Sequence, residues 1–74
     1  MTKAYKIKGL GCASCAAKME RKIGALPGVA AARVNFMTQK LTLEAEEARM
    51  GELALQADRI IRSVEPDASL LALQ

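Results

Sequence analysis

The chain has 74 residues, 51% of them apolar but only Tyr5 and Phe36 aromatic, and a net charge of +3. That length holds one domain, spanning 1–74, whose core must be filled by Leu, Ile, Val, Met and Ala, and no run of about 18 apolar residues offers a membrane span or membrane contact. Glu44, Glu46, Glu47 and Glu52 interrupt the bases and stacking aromatics are lacking, which argues against nucleic acid; the opening Met1-Thr2-Lys3-Ala4 has no apolar signal stretch, so a cytoplasmic setting is expected.

From Lys3 to Lys8 the pattern alternates, with Tyr5 and Ile7 apolar beside Lys6 and Lys8, as in a half-buried strand. Gly9 and Gly11 then open a loop, Gly9-Leu10-Gly11-Cys12-Ala13-Ser14-Cys15, that carries both cysteines. Ala16, Met19, Ile23 and Leu26 recur at helical spacing, Lys18, Glu20, Arg21 and Lys22 decorate the remaining surface, and Pro27-Gly28 ends the helix. Val29 to Phe36 reads as a second strand with Ala30, Ala32, Val34 and Phe36 on one face. A turn at Met37-Thr38-Gln39 leads into Lys40 to Ala45, whose alternation is the cleanest in the chain. A second helical stripe, Leu53, Ala57, Ile60, Ile61 and Val64, follows Gly51 and stops at Glu65-Pro66, because proline disfavours helix at the residue before it. The short apolar tail from Ala68 to Leu73 is expected to form a final edge strand.

This β-α-β-β-α-β order predicts an α+β, ferredoxin-like sandwich, a four-stranded antiparallel sheet with two helices on one face. In that topology the first loop, the hairpin turn and the connection to the last strand share one end of the sheet. Cys12, Cys15, Met37, Thr38, Glu65 and Asp67 are therefore expected to be neighbours.

A disulfide between Cys12 and Cys15 would close a small ring and staple little. Two sulfurs at this spacing, one on a glycine-flanked loop and one in a helix's first turn, instead converge on a single soft metal ion. Thiolates bind metal, so the thiol pKa values must fall. Cys15 is expected to gain this from the unsatisfied N–H groups of the first helical turn, with Lys18 adding charge, while Cys12 should be the more exposed sulfur. Two thiolates suffice for Cu(I) or mercury, whereas Zn(II) takes four ligands and Cd(II) more than two. With no histidine in the chain, Glu65 and Asp67 are the candidate oxygen donors. Met37 is a candidate thioether donor that favours Cu(I). An incomplete shell suits a carrier, since a partner's cysteines enter before the first ligands leave, and it also permits metal-bridged dimers.

Each feature has a plainer reading. Met19 fits the core, Met37, Glu65 and Asp67 fit an ordinary surface, and Lys18, Arg21 and Lys22 fit a solvated face or a docking site for an acidic partner. The cysteines also allow a thiol-disulfide redox protein. That fold, however, expects parallel βαβ order and bulkier residues than Ala13-Ser14 between the sulfurs. No catalytic constellation is present, nor an Asp-Lys-Thr-Gly-Thr sequence or phosphate-binding glycine loop with lysine, so the chain reads as a binding domain and not an enzyme.

Taken together, Gly9 to Glu20, Leu26-Pro27-Gly28-Val29, Val34-Asn35-Phe36 and Lys40-Leu41-Thr42-Leu43 make the chain resemble a heavy-metal-associated domain over essentially its whole length. Such domains occur as cytosolic modules of heavy-metal P-type ATPases and as small metallochaperones. The resemblance implies metal ligation by Cys12 and Cys15, with other ATPase domains or a metallochaperone as partners. Asn35-Phe36, Thr38, Lys40-Leu41 and Glu65-Pro66-Asp67 are most similar to modules of zinc- and cadmium-exporting ATPases, which implies Zn(II) or Cd(II), with Cu(I) the alternative. Copper modules commonly carry Gly-Met-Thr before the first cysteine, where this chain has Leu10 in place of the Met. Many zinc and cadmium modules place an aspartate where this chain has Gly11.

Overall fold

The computed structural model describes residues 2–72. Tyr5 and Ile7 point inward from β1 (Thr2–Lys8), and α1 (Ala13–Gly24) adds Ala16, Met19 and Ile23 to the same core. The hairpin is β2 (Val29–Asn35) and β3 (Lys40–Ala45), followed by α2 (Glu47–Val64) and β4 (Ser69–Ala72). All pairings are antiparallel in the order β2-β3-β1-β4. This is the expected ferredoxin-like sandwich, with the inward residues of β1 and β3 and one stripe of each helix fused into a single core. No described helix is long and apolar enough to cross a membrane.

Three details depart from the sequence reading. A register shift between Val29 and Ala31 flips the start of β2, so that Val29 rather than Ala30 packs against the core. Helix α2 begins at Glu47, before Gly51, and buries Met50. Gly51 faces open space, where a glycine weakens a helix by about 1 kcal/mol without ending it. Leu26 lies beyond the end of α1, half-buried in the turn that follows. Of the expected last strand, Leu73 falls outside the described residues.

The two edge strands are each covered at one point by an acid from the helix above. The Val34 N–H on β2 donates to Glu20 Oε1 at 2.9 Å. The Leu70 N–H on β4 donates to Asp58 Oδ1 at 2.9 Å, and Arg62 Nε holds the other oxygen of Asp58 at 3.0 Å.

Candidate metal centre

The cysteine loop leaves β1 at Gly9, whose φ of +79° lies in the left-handed region that favours glycine. A Cβ at Gly9 would collide with the carbonyl oxygen of Asp67, so the loop and the α2–β4 connection are in close backbone contact. Leu10, only 2% exposed, plugs the loop into the core. Its carbonyl accepts a hydrogen bond from Gln39 Nε2 at 2.7 Å, while the Ile7 N–H donates to the Gln39 carbonyl at 2.8 Å. Gln39 thus ties the hairpin turn to the cysteine loop, itself at φ +53°. Asn35 shapes that turn by accepting the N–H groups of Met37 and Thr38 at 2.9 and 3.1 Å.

Cys12 occupies the N-cap of α1 with extended backbone (φ −144°, ψ 124°), and Cys15 is the third helical residue. Both thiols are free and half-buried, and Cys15 packs against the margin of the core. Cys12 Sγ and Ser14 Oγ are in hydrogen-bond contact at 3.0 Å. That hydroxyl, then the Cys15 N–H, the Cys15 thiol and the Ser14 N–H, lower the Cys12 pKa to about 7. No side-chain hydrogen bond closes the cap in full geometry, so the N–H groups act on the sulfur mainly as a field. Cys15 is pushed the other way, first because it shares a hydrogen bond with Cys12, then by desolvation and by the negative charges of Cys12 and Glu65, with Lys18 opposing.

This reverses the expectation that the helix terminus would act on Cys15. The N–H groups of a first turn point back at the N-cap side chain, not at the third residue. Thiolate forms as pH rises through the pKa, so alkylation of the reduced, metal-free protein should be half-maximal near pH 7 at Cys12 and only at higher pH at Cys15. Mass-spectrometric mapping of iodoacetamide adducts across pH checks this, and Ser14→Ala should move the Cys12 midpoint upward.

The other candidate ligands separate. Glu65, just past the end of α2, brings its carboxylate to the loop, where Oε1 would lie 3.6 Å from a Cβ at Gly11. Its Oε2 is buried and has no hydrogen-bond partner among the described residues. Asp67 contributes its main chain beside Gly9, while its side chain belongs to an exposed residue. Met37 is 87% exposed on the hairpin turn. Among the described residues, no three Cys, Asp or Glu side chains form a ready metal shell. Gln39 escaped sequence analysis because nothing in a residue pattern flags a side chain that reaches back 29 positions to a main-chain oxygen.

Residues 4–68 match the family model described as heavy-metal-associated domain. The chain is 45% identical over 42 residues, 57% of its length, to copper-transporting ATPase 2 of Rhizobium meliloti (strain 1021). It shows the same identity over the same share to a probable cadmium-transporting ATPase of Listeria monocytogenes. These matches cover 5% and 6% of the two relatives, so the chain corresponds to a small part of each. The solution structure of the N-terminal domain of a potential copper-translocating P-type ATPase from Bacillus subtilis, in its Cu(I)-loaded state, superposes with a TM-score of 0.73. It covers 96% of this chain and 84% of that one at 26% identity. The family match takes in the cysteine loop, both helices and the connection that carries Glu65, and the chain belongs to the heavy-metal-associated domain family.

Proposed function

We propose that this domain, taking up 1–74, holds one divalent soft metal ion, Zn(II) or Cd(II), between the sulfurs of Cys12 and Cys15 with the Glu65 carboxylate as a third donor. It then delivers the ion to, or regulates, a zinc- or cadmium-exporting P-type ATPase. The observation that carries this reading is the Glu65 carboxylate beside the cysteine loop, with Oε1 3.6 Å from where a Cβ of Gly11 would lie and Oε2 buried without a partner among the described residues. A buried, unpaired carboxylate oxygen is costly, and in this reading the carboxylate closes onto a divalent ion held by the thiolates, completing a three-donor set that the described side chains do not form without it. Gly11 leaves the space between loop and carboxylate open. Asp67 and Met37 stay outside the shell in this reading. The remaining coordination positions fall to water, to a metallochaperone or ATPase partner, or to a second copy in a metal-bridged dimer. The domain works in the cytoplasm as a binding module, and chemistry on ATP belongs to other parts of such a pump.

A copper reading rests on the same two sulfurs, which by themselves complete a linear Cu(I) site. Competitive titration of the Glu65→Gln protein separates the two. Affinity for Zn(II) and Cd(II) should fall by about tenfold or more, with Cu(I) affinity unchanged. Divalent affinity that is weak in the parent protein and indifferent to Glu65→Gln assigns the domain to copper.

A further inference from the structure

The face of the sheet turned away from the helices carries a concentration of positive charge that the metal site does not use. Lys6 on β1 is the direct register partner of Lys40 on β3, and on its other side it pairs with Leu71 on β4. Lys8 follows Lys6 on the same face. Arg33 of β2 lies opposite Thr42, the next outward residue after Lys40. All four cations belong to exposed residues. None is in an ion pair among the described residues, where the pairs are Arg49 with Glu52 and Arg62 with Asp58. Glu44, the acid on the outward side of β3, is about 13 Å along the strand from Lys40 and is a diagonal neighbour of Arg33, so the lysines carry the unopposed charge. Each cation sits within about 10 Å of its nearest like neighbour, no more than a Debye length at 0.1 M salt. Like charges placed directly opposite across two strands destabilise a sheet, so the Lys6–Lys40 pair is a feature that folding alone does not favour.

The composition of the patch points to its occupant. Protein interfaces are depleted in Lys and enriched in aromatic anchors, and this face offers three lysines and no aromatic ring, Tyr5 being turned into the core. Arg would be the better choice for two-pronged carboxylate recognition. Compact, hydrated ammonium groups on a pleated surface instead match a diffuse layer of negative headgroups. The row runs from Asn35 through Lys40 and Lys6 to Leu71, which is 45% exposed and adds an apolar side chain at the β4 end. The sequence offers no apolar run for membrane contact, but charge supplies a different route: we propose that this open sheet face, through Lys6, Lys8, Arg33 and Lys40, docks the domain peripherally on an anionic lipid surface.

Flotation of the whole chain with vesicles tests the proposal. Binding is expected to vesicles of phosphatidylcholine with one third phosphatidylglycerol, and not to phosphatidylcholine alone, and it should vanish in about 0.5 M salt, where the Debye length shrinks to several ångströms. The double variant Lys6→Gln, Lys40→Gln should lose about tenfold or more of the bound fraction while its thermal midpoint holds or rises, because the cross-strand repulsion is gone. Cys12→Ser and Cys15→Ser should bind vesicles as the parent does, which keeps this result separate from the metal reading. Equal binding to both vesicle types, no binding, or undiminished binding by the double variant overturns the proposal. So does binding to soluble polyglutamate with none to vesicles, which would assign the face to an acidic protein.

Discussion

Replacing either Cys12 or Cys15 with serine is expected to lower affinity for Zn(II), Cd(II) and Cu(I) by about a hundredfold or more, since a site with few ligands loses half of its thiolates. The hydroxyl that takes the sulfur's place is a harder donor and stays protonated at neutral pH. Folding should be spared. Serine is a favoured N-cap residue, so Cys12→Ser keeps the start of α1 intact. Cys15 packs only at the margin of the core, where the substitution trades a little apolar contact. Chelator competition reads the affinities, and urea unfolding shows that the fold survives. A metal-free protein that turns over protein disulfides, or serine variants that keep parental affinity, would sink the carrier reading.

Gly9→Ala should destabilise the domain by about 2–4 kcal/mol, combining the strain of a left-handed backbone with a clash that side chains cannot relieve. The obstacle is the main-chain carbonyl of Asp67, in the turn closed by the Ala68 N–H to the Glu65 carbonyl at 2.9 Å. Relief therefore requires the cysteine loop and the α2–β4 connection to part, which separates Cys12 from Glu65 as well. Gly24→Ala and Gly51→Ala are the controls. Both sit in helices with open space where a Cβ would go, and both should stabilise by about 0.5–1 kcal/mol. Urea denaturation of the three variants gives the comparison, and a Gly9→Ala protein as stable as the parent removes the argument.

The fold was legible because its apolar spacing is clean where burial is greatest. Tyr5 and Ile7, Leu41 and Leu43, and the stripes through Met19 and Ile61 all point into one core. Legibility ended where main-chain geometry decides. The shift near Val29 depends on pairing between two strands, and period-two counting along one strand cannot register an inserted residue. Gly51 looked like a boundary because glycine is a poor helix former, yet Met50 and Leu53 on either side of it are buried on the helix's inner stripe. At the site, the spacing of Cys12 and Cys15 and the shared end of the sheet were readable. Which thiol is the more acidic was not, since the answer lies in which side chain faces the first N–H groups of α1 and where the Ser14 hydroxyl sits. The topology argument brought Glu65 to the loop and the hairpin turn beside it through Gln39, while Met37 stands 87% exposed on that turn, a placement that no residue pattern signals.

Glu20 and Asp58 have a consequence for how such a domain tolerates company. A strand from a neighbouring molecule that approaches β2 or β4 must first displace a charged carboxylate already bonded to the rung it needs. Fusion of two sheets into one is therefore discouraged at both margins. Contacts between copies are left to side chains rather than to paired backbone, and such contacts are more quickly undone. Two acids reaching down from the helices thus keep this sheet from merging with another of its kind.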